Sequence, residues 1–208
     1  MSKTFSNRYM LLYAAALVTV AALLLTVVSV SLKPRQERNK EAERKQMILK
    51  AIGIESTRDN AAELYEQYIT ESGTLDGFTY YTFQKGVLLP VHGTGLWGPI
   101  WGYQALDSSA TVVGAVFDHQ GETPGLGGEI ATDKFAARFI GKRMDSQPIR
   151  LKKNADRDNP YQVDVISGAT MTSNGVTEML EKAYENYKYL ITQNTRSNQI
   201  DFGKEAAQ

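Results

Sequence analysis

The stretch Asp164-Val-Ile-Ser-Gly-Ala-Thr170, continuing Met171-Thr-Ser-Asn-Gly-Val176, reads as a strand that turns directly into a helix. Before the turn, Tyr161, Val163 and Val165 alternate with polar residues, the period of a half-buried strand. After it, Val176, Met179, Leu180, Ala183, Tyr187, Leu190 and Ile191 recur at helical spacing with charges between them. The turn itself is dense in hydroxyls. A helix starting near Ser173 would aim unpaired backbone N–H groups and its positive dipole end at Thr170, Thr172 and Ser173, a setting that stabilises an anion such as a phosphate. The plainer alternative is that Thr172 or Ser173 caps the helix and Gly168 makes the turn.

Upstream of this point, short β-rich runs at residues 78–84, 87–91, 100–106 and 111–118 are punctuated by Gly and Pro. Residues 134–140 suggest a short helix, 149–153 a strand and 154–160 a loop. Asp59 or Asn60 is placed to cap a helix burying Leu64, Tyr65, Tyr68 and Ile69. Helices, a strand run, a helix, strands and a last helix predict an α+β fold with an antiparallel sheet flanked by helices. One folded domain is expected over residues 54–195, with a flexible tail at 196–208.

Residues 10–32 form a run of 23 without a charge, between Arg8 and Lys33-Pro34-Arg35. At about 1.5 Å per residue, such a helix spans a hydrocarbon core of about 30 Å. Ser29-Val30-Ser31 resembles a cleavage site, but the run exceeds the roughly 7–15 apolar residues of a signal peptide. A retained transmembrane helix is therefore expected, after a short N-terminal segment at 1–9. Pro34 suits the first position of a new helix, so residues 33–53 read as a charged juxtamembrane helix with Met47, Ile48, Ala51 and Ile52 on its apolar side. Six Lys/Arg residues follow the span within 33–45, against Lys3 and Arg8 before it, which by the positive-inside rule puts the domain in the cytoplasm.

Composition removes several function classes. The 23 Lys and Arg equal the 23 Asp and Glu in number, and no basic run is interleaved with aromatics, so no nucleic-acid partner is expected. Cysteine is absent, which excludes thiolate metal sites, iron–sulfur clusters and Cys nucleophiles from this chain. His92 and His119 lack a carboxylate or second His at ligand spacing, so no metal site is expected. A Gly-x-Ser-x-Gly elbow and a Gly-x-Gly-x-x-Gly dinucleotide turn are both missing. Neither hydrolase chemistry nor a nicotinamide site is expected, and no catalytic residue is assigned.

Asp164-x-x-Ser167-Gly168-Ala169-Thr170 resembles the flavinylation motif of bacterial FMN-binding domains, in which the last Thr is esterified to the phosphate of FMN by a dedicated flavin transferase. The resemblance implies Thr170 as the covalent acceptor, with Ser167, Gly168, Ala169 and Thr172 around the cofactor. Residues 119–130, His-Gln-Gly-Glu-Thr-Pro-Gly-Leu-Gly-Gly-Glu-Ile, are similar to a second signature of the same domains. It implies Glu122, Thr123, Gly125, Leu126 and Gly127 as cofactor contacts, with the glycines admitting backbone N–H groups and Leu126 packing on the isoalloxazine. A third block, Gly93 to Leu106, resembles the Gly-Leu-Trp segment of the NqrC family, found in sodium-translocating NADH:quinone reductases. It implies a flavin-side role for Trp97. The bland alternatives are a surface turn at 124–128, a solvated Glu122 and a core Trp97.

The resemblance implies an inner-membrane electron-transfer subunit. FMN would carry the redox chemistry, and electrons would pass from NADH through flavins and an iron–sulfur centre to ubiquinone or menaquinone, coupled to sodium export. Partners implied are the other membrane, flavin and iron–sulfur subunits, the flavin transferase and membrane lipid. The family places the flavin domain on the periplasmic side, against the charge count. Two other readings are open. One is the homologous flavin subunit of an Rnf-type ion-translocating ferredoxin:NAD oxidoreductase, separable by the co-purifying subunits. The other is a non-redox anchored adaptor, separable by flavin stoichiometry.

Overall fold

The computed structural model describes the backbone of residues 7–205 and the side chains of residues 7–193. Most of the expected N-terminal segment, and residues 206–208, lie outside the described residues. The chain divides into two units, residues 1–43 and residues 44–208.

Helix α1 runs over Asn7–Ala51 without a break at Pro34. Its apolar part is long enough to cross a membrane, and none of that part is buried. The expected division at residue 33 is corrected here: Pro34 forfeits one bond, to the carbonyl of Val30, but good helix formers stand on both sides and carry the element through. Its last turns depart from the expectation as well. Ile48, Leu49 and Ala51 are buried, with Met47 and Ile52 packed beside them, so this end belongs to the folded unit. That unit begins at Arg44 rather than at residue 54.

Helix α2, Ala61–Tyr68, follows Asn60, whose side chain makes no capping bond and instead accepts the Thr57 N–H at 2.7 Å. It buries only Ala61, and Ile69, expected inside it, opens strand β1, Ile69–Leu75. Strands β2 (Phe78–Phe83), β3 (Gly86–Thr94), β4 (Pro99–Asp107) and β5 (Val112–His119) follow, and the five form an antiparallel meander in chain order. Alternation in the sequence sorts their side chains. Val87, Leu89, Val91, Ile100 and Phe117 face one core, while Leu88, Tyr103, Ala105 and Val116 face the other, where Ile48 and Ala51 of α1 pack.

After β5 come a 3-10 turn at Gly127–Ala131, the short helix α3 at Asp133–Ala136 and a further 3-10 turn at Ala137–Phe139. Phe117, Phe135 and Phe139 form a mutual aromatic cluster with centroids 5.0 to 5.7 Å apart. Strands β6 (Arg150–Lys152) and β7 (Gln162–Asp164) make a separate parallel pair, so the antiparallel expectation holds for the main sheet alone. Helix α4, Thr170–Glu205, covers the first core with Val176, Met179, Leu180, Ala183, Tyr187 and Ile191. Its backbone continues through 196–205, where a flexible tail is expected from the sequence; no proline interrupts that run.

Two hydrogen bonds seat α4. The Leu151 N–H donates to Thr177 Oγ1 at 3.1 Å, and the Tyr187 hydroxyl donates to the Thr79 carbonyl at 2.7 Å. Burial pushes the Tyr187 phenol up to about 12. A folded-state value raised above the ordinary value of about 10 gives stability that is whole below that pH and lost as pH rises through about 12. Tyr187→Phe is expected to cost about 1 kcal/mol at neutral pH. Urea melts should show the wild-type and variant curves converging as pH rises across that window.

Candidate functional site

Three segments distant in sequence meet at one end of α4. The first is the β3–β4 connection, residues 95–98, closed by the Gly95 N–H on the Gly98 carbonyl at 2.8 Å, with Leu96 and Trp97 at its tip. The second leaves β5. The Gln120 N–H bonds the Pro99 carbonyl at 3.0 Å, and the N–H groups of Leu126 and Gly128 both return to the Thr123 carbonyl, at 3.1 and 2.9 Å. The third is the turn into α4. The Ala169 N–H donates to the Ile166 carbonyl at 3.1 Å, and Gly168 has φ +77°, the positive value that the third position of a type II turn requires. This turn delivers the chain into the helix at Thr170 rather than at Ser173, which corrects the expected start by three residues.

The earlier start changes what the hydroxyls do. Ser173 N–H closes the first helical bond, to the Ala169 carbonyl at 2.9 Å, so the N–H groups of Thr170, Met171 and Thr172 have no intrahelical acceptor. Ser173 is fully buried, and its Oγ accepts the Ile166 N–H at 3.1 Å. Thr172 is 2% exposed, and its hydroxyl donates to Glu122 Oε2 at 2.5 Å. Thr170 is exposed, and its hydroxyl has no hydrogen-bond partner among the described residues.

Glu122 is 4% exposed and serves as the joint between the three segments. Its Oε2 accepts from Thr172, its Oε1 accepts the Trp97 N–H at 2.8 Å, and its own N–H donates to His119 Nδ1 at 3.2 Å. The solvated-turn reading of Glu122 is thereby replaced. A carboxylate beside a helix N-terminus also meets the favourable end of the helix dipole. Gly127 makes the arrangement possible, because a Cβ there would run into the Glu122 carboxylate and the Thr172 hydroxyl.

Between these segments lies an open cleft of about 200 Å³. Of the residues expected at a cofactor, Trp97, Glu122, Thr123, Leu126, Gly127, Gly168, Ala169, Thr170 and Thr172 line it. Ser167 and Gly125 do not, and a Cβ on Gly125 would meet nothing within 4 Å. Leu96, the Leu of the Gly-Leu-Trp segment, and Met171 also line it, although neither is among the expected cofactor contacts. The signal for Leu96 is its place next to Trp97. Met171 is hidden when the helix is started at Ser173, since only a helix beginning at Thr170 sets the residue between the two threonines at the rim.

Trp97 is 69% exposed, so it is not a core residue. Leu96, Leu126 and Met171 share that condition, at 50%, 43% and 59%. A contiguous group of large apolar side chains left in water marks a binding surface. The parts on hand are therefore an apolar rim suited to a planar aromatic ring, free helix N-terminal amides suited to a phosphate, and one uncommitted hydroxyl between them. The fit to FMN is good. At about 200 Å³, the cleft is below the roughly 300 Å³ at which pockets begin to enclose a ligand of that size, so a flavin would remain partly open to solvent or a partner.

Comparison with known proteins agrees with this geometry. Residues 95–185, which span all three segments, match the model of the FMN-binding domain. The NqrC component of the Na+-translocating NADH-quinone reductase of Vibrio vulnificus is 28% identical over 210 residues, covering 76% of this chain and 82% of that protein. Its Haemophilus ducreyi counterpart is 29% identical over 209 residues, covering 76% and 81%. The crystal structure of the Parabacteroides distasonis counterpart superposes with a TM-score of 0.72 at 30% identity, covering 77% of this chain and 97% of that one. The chain belongs to the NqrC family of Na+-translocating NADH-quinone reductase subunits, built on an FMN-binding domain.

Proposed function

We propose that this chain is the membrane-anchored electron-transfer subunit of a sodium-translocating NADH:quinone reductase, carrying FMN on Thr170 through a phosphoester. The observation that carries the reading is the contrast at the start of α4: Thr170 offers an exposed, uncommitted hydroxyl at the cleft, while Thr172 and Ser173 are buried and bonded. When bound, FMN supplies one- and two-electron redox chemistry. The chain's own residues do the rest. The amides of Thr170, Met171 and Thr172 would hold the phosphate, Leu96, Trp97, Leu126 and Met171 would seat the ring, and the open side of the cleft would leave a path for electrons to and from neighbouring subunits. Gly168 and Ala169 set the turn that brings Thr170 to the rim, and Thr123 closes the far side.

Peptide mapping by mass spectrometry of the chain isolated with its complex tests this reading. An FMN phosphoryl adduct on the peptide containing Thr170 is expected, together with co-purified subunits of the quinone-reductase set and the need for a flavin transferase during maturation. An unmodified chain would overturn the covalent reading, and one that also retains no flavin would leave the non-redox adaptor.

The anchor is the apolar part of α1, in the bacterial inner membrane, and the flavin domain lies on the periplasmic side. Family membership supports that side, and so does the purpose of a tether: a cofactor made in the cytoplasm diffuses away from an extracytoplasmic carrier unless it is held. Flanking charge opposes it, but large translocated domains override that bias. Lys153→Cys introduces a lone thiol at an exposed position in a chain without cysteine. It is expected to react with an impermeant maleimide in intact spheroplasts; labelling only after lysis would place the domain inside.

A further inference from the structure

The first turn of α4 holds three hydroxyls within four residues, and two of them, Thr170 and Thr172, belong to the same nucleophile class and line the same cleft. Composition does not separate them. We infer that Glu122 is the residue that makes acceptor choice single-valued, by holding the Thr172 hydroxyl inward so that Thr170 alone is offered for attachment. This rests on the covalent reading above.

Glu122 reaches Thr172 across fifty positions of sequence, with a 2.5 Å bond at the short end for a hydroxyl on a carboxylate. The seat for the carboxylate is built from both sides. A Cβ at Gly95 would run into Glu122 Oε1, and a Cβ at Gly127 would run into Glu122 Oε2 and Thr172 Oγ1. The part-buried Trp97 amide holds the other oxygen at 2.8 Å, so the carboxylate cannot swing away without also giving up that bond and leaving the buried Thr172 hydroxyl unpaired.

A hydroxyl bonded to a carboxylate is also the arrangement by which a base activates a nucleophile. Burial decides against that here. Held inward at 2% exposure, Thr172 presents almost no surface to a flavin donor, and a carboxylate at its side repels the donor's phosphates.

Attachment forms one bond, from threonine Oγ to the phosphorus of the FMN phosphate. It breaks one phosphoanhydride P–O bond in a donor whose FMN phosphate is joined to a second phosphate. The hydroxyl proton leaves with the released phosphate group, and no oxidation state changes. Both threonines satisfy that balance, so the selection is positional and Glu122 is a positioning residue.

The test uses full-length chain co-expressed with a flavin transferase and peptide mapping by mass spectrometry. Thr170→Ala alone is expected to carry no flavin. Thr170→Ala combined with Glu122→Ala frees the Thr172 hydroxyl, and an adduct on Thr172 is expected to rise from undetectable to the major species. Thr170→Ala combined with Glu122→Gln should stay flavin-free, since the amide oxygen can accept from Trp97 and the amide nitrogen can donate to Thr172. Where Glu122→Ala does not fold, Glu122→Ser, which admits water to the vacated site, takes its place with the same expected adduct. A folded Ala or Ser double variant without flavin overturns the inference, as does label on Thr172 in Thr170→Ala alone. Absence of the wild-type adduct at Thr170 would be a different failure, that of the covalent reading itself.

Discussion

Thr170→Ala is expected to abolish in-gel flavin fluorescence and the FMN mass increment while leaving the fold in place. The side chain is exposed and its hydroxyl is unpartnered among the described residues, so its removal breaks nothing internal. A stability change of about 0.5 kcal/mol or less is the ordinary cost of such a surface substitution. Quinone-reductase turnover of the assembled complex should fall with the flavin. Thr172→Val and Ser173→Ala are the informative controls, because each keeps Thr170 but removes a buried hydrogen bond, to Glu122 Oε2 and from the Ile166 N–H respectively. Each should remain flavinylated and lose about 1–3 kcal/mol in urea denaturation, the cost of leaving a buried polar partner unmet. Flavin retained covalently by Thr170→Ala would remove this residue as the acceptor and return the choice to its two neighbours.

Strands β3 and β4 declare themselves in the sequence by central runs buried on both faces, β2 and β5 by their aromatic and β-branched residues, and Gly, Pro or Asp stands at or beside the turns that join them. Strand β1 does not, because its sequence, Ile-Thr-Glu-Ser-Gly-Thr-Leu, lies at a sheet edge and is largely exposed, so it lacks the apolar alternation by which strands are read. The Asp76-Gly77 pair between β1 and β2, with φ of 50° and 86°, is the available hairpin signal. The break expected at Pro34 does not form for a different reason: local propensity at one position yields to the helix formers around it. At the site, the three segments can be nominated from motifs, but their meeting cannot be derived. The burial of Glu122 in particular depends on a partner fifty residues away and on two glycines whose lack of a side chain is meaningful only in three dimensions.

Gly127→Val is expected to have the second large effect, and here the structure separates two residues that the sequence treats alike. Gly125 and Gly127 both belong to the glycine-rich segment after Glu122, and both are expected from the motif to approach the flavin. At Gly127 the space for a Cβ is already occupied by the Glu122 carboxylate and the Thr172 hydroxyl. Valine there must push the two apart, adding an overpacking cost of about 1–3 kcal/mol to the loss of a buried bond. The Trp97 amide shares the same carboxylate, so the disturbance reaches the β3–β4 tip as well as the start of α4. At Gly125 a Cβ meets nothing within 4 Å, and only its φ of +75° resists substitution, at about 1–2 kcal/mol for an L-residue in the left-handed region. Gly127→Val should therefore shift the flavin absorption spectrum and slow quinone-reductase turnover. Gly125→Val should lower the melting temperature with a smaller spectral change. The comparison is made on purified complex, with spectra, turnover and melting temperature measured on each variant. If Gly127→Val melts early but keeps the wild-type spectrum and turnover, the segment after Glu122 is a structural turn, and the apolar seat for the ring is reduced to Leu96, Trp97 and Met171.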